Sequence, residues 1–269
     1  MKRIRAGFAL VAVSALLMFS AAQAATAAPF QMDWYGGQPV SLAMPVSGSS
    51  DLFERLGDAA ENGDVEAMNL LGVFYVTNAR VPSDYSMALY WLQRAVDGGC
   101  VDAMHIMAAM YLRGLGVARD YANAFRWFQR AAEGGRAAAM YSAAAMAENG
   151  LGTARDLALA RSMYRKAAVS GIPLAMIWLS EDLARHGANQ NLVEAHAWLE
   201  VVALSELDAQ LQVIVLARTE DLGNRLDLPR RDKARSQASR IVAEIRARAP
   251  RDATPMQSSP ASNRRSPSA

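Results

Sequence analysis

The chain has 269 residues, of which 52% are hydrophobic and 20% are charged, so it is long enough to bury the core of one large domain or two small ones. Its formal net charge of +2 is unevenly distributed: residues 25–228 carry 15 basic and 23 acidic side chains, whereas residues 229–269 carry 10 and 3. A nucleic-acid-binding domain carries its basic patch on the folded part, and the acidic body therefore excludes nucleic acid as a partner.

Residues 1–24 are predicted to be a signal peptide. Three basic residues in the first five positions precede an apolar run from Phe8 to Phe19, and the small-x-small sequence AQA ends at Ala24. The run is shorter than the ~20 residues that span a bilayer. We therefore expect a periplasmic protein with no integral membrane segment after cleavage. Secretion is the alternative destination, and a retained N-terminal helix is the alternative structure.

Residues 25–50 contain three prolines and several glycines and serines, which predicts an extended leader. Its apolar pair Trp34-Tyr35 could dock on the folded body, although the composition favours a leader that does not dock. A half-repeat follows over residues 51–63, where Asp51 and Glu54 have the spacing of a capping box. We interpret it as an N-terminal helical cap.

The middle of the chain repeats with a period of 36 residues. Matching residues recur as Ala-Met pairs, as aspartates and as glycines: Ala67-Met68, Ala103-Met104, Ala139-Met140 and Ala175-Met176; Asp84, Asp120 and Asp156; Gly99, Gly135 and Gly171. Self-similarity at a fixed period is the signature of a repeat array. The predicted full units cover residues 64–99, 100–135, 136–171 and 172–205, and the fourth is one residue shorter in its turn.

One unit, residues 101–135, is predicted to form two helices joined by a turn. Met104 and Tyr111 share an apolar helical face, and the glycines of 114–116 favour a turn. A second apolar stripe then follows Asp120, which is a natural N-cap. Neither helix can bury its apolar face alone, so the hairpins must stack on one another.

This pattern resembles the Sel1-like repeat family, whose α/α hairpins are related to tetratricopeptide repeats. The resemblance covers residues 51–205 and rests on segments such as AMNLLGVFY at 67–75, followed by Asp84 and Trp91. It implies an all-α, right-handed solenoid of hairpins with a helical cap at each end, over residues 51–248.

Two further helices are predicted after the fourth unit, and we interpret them as the C-terminal cap. Leu211, Val215 and Leu222 continue a helical pattern. Pro229 suits the first turn of a second helix, which is amphipathic and basic. Residues 249–269, rich in Ser, Pro and Arg, have nothing to bury and are predicted to be disordered.

The sequence contains no catalytic or metal-binding pattern. His105, His186 and His196 are not spaced as metal ligands, and no HExxH, GxSxG, SxxK or P-loop motif occurs. We therefore predict no enzyme activity, no cofactor and no metal. Cys100 is the only cysteine, which excludes an intramolecular disulfide. We expect a monomer, with a dimer linked through Cys100 as the alternative.

The remaining candidate for function is a surface. In tetratricopeptide-like solenoids the first helix of each hairpin lines the concave groove, and the resemblance implies that these helices carry the partner-binding residues. The candidates that directly follow the Ala-Met pairs are Asn69, His105, Tyr141 and Ile177. Further along the same helices the candidates are Arg113, Glu148, Asn149, Glu181 and Arg185. These positions differ between units of nearly identical build. An ordinary solvated face is the alternative.

We predict a periplasmic adaptor or regulator that binds another envelope protein, as a peptide or a domain, in this groove without turnover. Such a chain is similar to periplasmic regulators of two-component sensors and to scaffolds for polysaccharide or secretion machinery. Two alternatives stay open. The penicillin-binding, β-lactamase-like Sel1 group implies a hydrolase, although this chain lacks the cysteine pairs of that group. The basic C-terminal segment favours binding of an envelope glycan or another anionic polymer.

Overall fold

The computed structural model describes residues 49–77, 85–185, 189–205, 207 and 209–248, so the predicted signal peptide, nearly all of the leader and the tail lie outside the described residues. Within these ranges the chain forms eleven α helices and no strand. They are α1 (Ser49–Glu61), α2 (Val65–Thr77), α3 (Tyr85–Asp97), α4 (Val101–Arg113), α5 (Tyr121–Glu133), α6 (Ala137–Asn149), α7 (Leu157–Val169), α8 (Pro173–Arg185), α9 (Asn189–Ala203), α10 (Ala209–Asn224) and α11 (Leu228–Arg248).

The helices pair into hairpins that stack in tandem. The pairs are α2 with α3, α4 with α5, α6 with α7, and α8 with α9, and the second helix of each of the first three packs against the first helix of the next. The predicted all-α architecture of tandem hairpins is confirmed. α1 packs on α2, and it begins at Ser49, two residues before Asp51, inside the predicted leader.

The first three full units end with the same backbone device, for which Gly135 is an example. Its φ of 91° lies in the left-handed region, where glycine carries no steric cost. The Gly135 amide donates to the Ala132 carbonyl at 3.0 Å, and the Arg136 amide donates to the Ala131 carbonyl at 3.0 Å. This pair of bonds is a Schellman cap, which satisfies carbonyls that the helix end would leave open. The device sets the angle at which one hairpin follows another.

In the second and third hairpins, the turn brings a second glycine, Gly116 or Gly152, against the preceding unit. A Cβ atom added to Gly152 would lie 2.0 Å from the Tyr121 carbonyl oxygen, at the start of α5. The next aspartate, Asp156, then caps α7 by accepting a hydrogen bond from the Leu159 amide at 2.9 Å. The turn glycine is therefore required by the stacking of units as well as by its own φ of 72°.

Small residues fill the places where helices approach closely, and larger residues pack around them. Ala88, Ala124 and Ala160, which recur at the 36-residue period, are fully buried. Trp91 is also buried, at 5% exposure. The repeat predicts equal burial for Trp127, but Trp127 is only half-buried, with the Arg130 guanidinium 4.7 Å from its ring centre. Its side chain is shared between the core and the surface.

The two C-terminal helices occupy different positions. α10 packs on α9 at the end of the array, whereas α11 also packs on α9 but runs back towards α7. A Cβ atom at Gly171, which follows α7, would lie 3.6 Å from the Ile245 side chain near the end of α11. α11 therefore joins the last two hairpins along their second helices.

The crowding at Gly152 leads to a stability prediction. Gly152→Ala should destabilise the protein by about 3–5 kcal/mol, because the new methyl group collides with backbone and the positive φ is strained. Gly135→Ala is the matched control: its φ is also positive, but nothing lies within 4 Å of an added Cβ, so it should cost only about 1–2 kcal/mol. Urea unfolding measures both values, and equal costs would contradict the stacking contact.

Candidate functional site

Three of the predicted site residues form a row at the ends of successive first helices. Arg113, Asn149 and Arg185 are the last residues of α4, α6 and α8, they lie 36 residues apart, and all three are exposed. The Asn149 side chain donates back to the Ala145 carbonyl at 2.8 Å. We call these three residues the first-helix row.

Three other predicted residues present little surface. Ile177 is 8% exposed and belongs to the core, so its prediction as a groove residue is corrected: its side chain lies on the buried side of α8. Asn69 and His105 are half-buried. The His105 ring lies 5.3 Å from the Phe128 ring, and burial, together with the nearby charge of Arg136, lowers the pKa of His105 to about 4. His105 is therefore neutral at pH 7.

Two more predicted residues, Tyr141 and Glu148 on α6, belong to a polar and aromatic cluster. The Glu148 carboxylate accepts hydrogen bonds from the Tyr164 hydroxyl at 2.9 Å and from Trp178 Nε1 at 3.0 Å. The Tyr164 ring stacks on Trp178 at 4.1 Å and meets the Tyr141 ring at 5.5 Å. We call these four residues the Glu148 cluster. It connects α6, α7 and α8 on the side of the first helices.

The hydroxyl of Tyr164 acts as a permanent donor in this cluster. Tyr164 is 2% exposed, and burial, followed by the charges of Tyr141 and Glu148, raises the pKa of Tyr164 above its usual range. A neutral phenol next to a carboxylate gives a charge-assisted hydrogen bond, which is stronger than one between neutral groups. Tyr141 and Trp178 are half-buried at the edge of the cluster, and their ring contacts with Tyr164 hold the aromatic surface in place.

The repeat register contains a signal for this cluster that the sequence interpretation missed. Glu148 occupies the position of Val76 and Leu112 in the two preceding units, and Tyr164 occupies that of Leu92 and Phe128. When a carboxylate and a hydroxyl 16 positions apart replace core residues, each needs a hydrogen-bond partner, which is either the other group or a third one. Tyr164 could have been identified in this way, as the partner of Glu148.

The last predicted residue, Glu181, ties α8 to the end of the array. Its carboxylate is paired with Arg218 of α10 and lies 3.9 Å from Arg185. Arg218 was not predicted from the sequence. Glu181 is therefore held by a neighbouring helix, and it sets the charge beside Arg185.

Neither a candidate metal site nor a candidate membrane span is found among the described residues. In the part of the chain that the structure describes, no group of three or more His, Cys, Asp or Glu side chains is placed to share a metal ion. No helix in that part is long and apolar enough to cross a membrane. Cys100 is half-buried at the N-cap of α4. What the site offers is an exposed row of hydrogen-bond donors together with half-buried aromatic rings.

Comparison with known proteins identifies the repeat. Residues 65–100, 101–135 and 137–171 each match the family model described as Sel1 repeat. A crystal structure of a protective antigen from uropathogenic Escherichia coli strains, which displays an SLR fold, is similar with a TM-score of 0.62 and 22% identity. The match covers 72% of this chain and 41% of the antigen, so this chain spans about two fifths of its length.

A Sel1 repeat protein from Oxalobacter formigenes is also similar. Its crystal structure shares 35% identity with this chain over 46% of this chain and 93% of that protein, with a TM-score of 0.43. No curated protein sequence matches the chain.

The hydrogen bonds of the Glu148 cluster lead to a second stability prediction. Glu148→Leu, which restores the residue of the preceding unit, should destabilise the protein by about 2–4 kcal/mol, because it leaves the buried Tyr164 hydroxyl and the part-buried Trp178 N–H without their acceptor. Adding Tyr164→Phe should recover about 1–2 kcal/mol of that loss, since it removes one of the unsatisfied donors. Urea unfolding of the two single variants and the double variant gives the coupling energy. Strictly additive effects would show that the hydrogen bond contributes nothing.

Proposed function

We propose a function for this chain, which belongs to the Sel1 repeat family: it is an exported adaptor or regulator that binds another envelope protein along its first helices. Sel1 repeat folds commonly mediate protein–protein interaction, and such solenoids are typically non-enzymatic adaptors. The location rests on the sequence of residues 1–24, with its basic start, apolar run and AQA site. The binding mode rests on the first-helix row.

The observation that carries the proposal is the contrast between constant packing and variable exposed ends. The turns after α4 and α6 have the same hydrogen bonds, with Leu115 and Leu151 donating to the carbonyls of Met110 and Met146 at 3.0 and 2.9 Å. The helix ends they follow are nevertheless Arg113 and Asn149, which differ in charge and shape. Packing does not require that difference, whereas recognition of a particular partner uses it.

The aromatic rings beside the row supply the other part of an interface. Tyr, Trp and Arg are the residue types that dominate binding energy in protein interfaces. Tyr141 and Trp178 keep part of their surface exposed and are fixed by their ring contacts with Tyr164. Because these rings are already ordered, a partner that covers them loses little side-chain entropy on binding. A peptide or small domain that spans α6 and α8 would contact both the rings and the row.

Binding of an anionic envelope polymer is a second candidate, and it is favoured by α11. This helix carries seven basic residues and two acidic ones, Asp232 and Glu244. Three of its arginines, Arg230, Arg235 and Arg248, form ion pairs with carboxylates. Attraction through exposed charges of this kind is screened by salt over about 10 Å at 0.1 M, so polymer binding would weaken steeply as salt is added.

A crosslinking experiment tests the adaptor proposal. A photo-crosslinking residue is placed at Asn149 in the full chain and irradiated in intact cells, and we expect one defined crosslinked protein. Adding Arg113→Ala and Arg185→Ala should reduce its yield at least about tenfold, because each hot-spot side chain contributes about 2 kcal/mol. Helicity and unfolding should stay nearly unchanged, since exposed positions contribute within about 0.5 kcal/mol.

The matched control removes the same charge from the second helices. Arg126, Ser162 and Lys166 on α5 and α7 are all exposed. A crosslinker at Ser162 should not capture the same protein, and Arg126→Ala with Lys166→Ala should leave capture through Asn149 unchanged. If the row variants crosslink normally, and deletion of residues 230–248 abolishes capture instead, electrostatic binding through the basic helix α11 replaces the proposed binding along the first helices.

A further inference from the structure

The junction between the third and fourth hairpins contains a cleft that involves none of the first-helix row. It has a volume of about 330 Å³ and opens between α7, α8 and α9. Its lining residues are Arg161, Arg165, Leu179, Asp182, Leu183 and Asn191. The cleft thus combines two guanidinium groups, a carboxylate and an amide with apolar surface from Leu183, while Leu179 lies buried beneath it.

Arg161 is held rigidly at this cleft by a buried carboxylate. Its Nε and Nη2 atoms donate to the two oxygens of Asp182 at 2.6 and 3.0 Å. This bidentate pairing fixes the plane of the guanidinium. Because Nε and Nη2 donate to Asp182, the Nη1 hydrogens point away from this carboxylate and can donate to another acceptor. Arg161 is therefore oriented in advance of any ligand.

The repeat register shows that this ion pair is a replacement. In the two preceding junctions, the positions equivalent to Arg161 and Asp182 hold apolar residues. They are Leu89 with Met110 and Phe125 with Met146, and both methionines are buried. In the third junction both partners change together, to Arg161 and Asp182. The guanidinium of this pair is partly exposed to solvent, and partly exposed ion pairs contribute little to stability, with a median of about 0–1 kcal/mol. The exchange is therefore not expected to add stability, which is consistent with a binding role.

The charges in the cleft are arranged with the cations outward. The Arg161 side chain is 46% exposed and that of Asp182 only 9%, while Arg165 is 51% exposed and its partner Glu194 is 30% exposed. Arg165 also departs from the repeat, since the equivalent residues are Gln93 and Gln129. Although the four charges sum to zero, a ligand entering from solvent meets the two guanidinium groups first.

We propose that this cleft binds the carboxylate of an acidic side chain within an extended peptide segment of a protein partner. Arg161 Nη1 and Arg165 donate to the carboxylate, and Asn191 hydrogen-bonds the peptide backbone beside it. Leu183 contacts an apolar residue that flanks the acidic one. The proposal rests on the protein-binding function, but on different residues from the first-helix row, and it is tested with isolated peptides.

The experiment follows the arginine Nε–Hε resonances of the ¹⁵N-labelled full chain during titration with N-acetyl-Leu-Glu-Leu-amide. We expect saturable shifts at Arg161 and Arg165, and binding at least about tenfold weaker for N-acetyl-Leu-Gln-Leu-amide, because a charge-assisted hydrogen bond to the carboxylate is lost. Equal shifts with the two peptides, or no shift with either at millimolar concentration, overturn the proposal. Equally tight binding of sodium acetate or phosphate at the same resonances overturns it as well, since the cleft would then take small anions.

Two variants separate binding from folding. Arg161→Phe combined with Asp182→Met restores the apolar pair of the preceding junction, so the chain should unfold at the same or higher urea concentration while the Glu peptide no longer binds. Arg165→Gln restores the residue of the first two units and should weaken binding about tenfold, with no change in circular dichroism. Arg126→Gln, an exposed arginine of α5, is the control and should bind as the parent chain does. Unchanged binding by the double variant or by Arg165→Gln overturns the proposal.

The outcome is independent of the crosslinking test of the first-helix row. If the peptide titration fails but the crosslink at Asn149 is formed, the adaptor function stands and the cleft assignment falls. If the peptide binds but the row variants crosslink normally, the protein-binding face is the cleft rather than the row.

Discussion

The structure depends on one constraint: no hairpin in this chain can bury its own apolar surface. The two helices of a hairpin pack against each other, and each hairpin also packs against the next one. Alanines such as Ala124 and Ala160 are fully buried where the helices come together. Stability is then approximately a sum of contributions from single units and from the interfaces between neighbours. The glycines at 36-residue spacing maintain the geometry of those interfaces, because a side chain at Gly152 would separate α5 from the following turn.

Against this constant frame, the third junction stands out because it exchanges apolar contacts for polar ones on two sides. Glu148 and Tyr164 replace core residues on the side of the first helices, and Arg161 and Asp182 replace an apolar pair at the cleft. Buried polar groups require partners, so each replacement is coupled to a second one. An array of near-identical units can acquire a specific binding surface in this way, by changing pairs of residues at one junction while the backbone stays the same.

The sequence was sufficient to predict the hairpins, their order and the exposed helix ends, because periodicity and glycine placement are local signals. It misplaced Ile177, since the choice between groove and core depends on the rotation of α8 against its neighbours. It missed the bond between Glu148 and Trp178, and the pairing of Glu181 with Arg218, because these contacts link residues about 30 or more positions apart. The return of α11 along the second helices was also not predicted, since an amphipathic pattern shows that a helix packs but not on what.

Native-state hydrogen exchange of the full chain tests the nearest-neighbour account most directly. Helices α4 to α7 have neighbouring units on both sides, whereas α1 and α10 lie at the ends of the array. The account predicts that amides in α4–α7 exchange only through the largest opening free energies, and that α1 and α10 open at values lower by several kcal/mol. Uniform protection, with every helix exchanging through the same global unfolding, would contradict it.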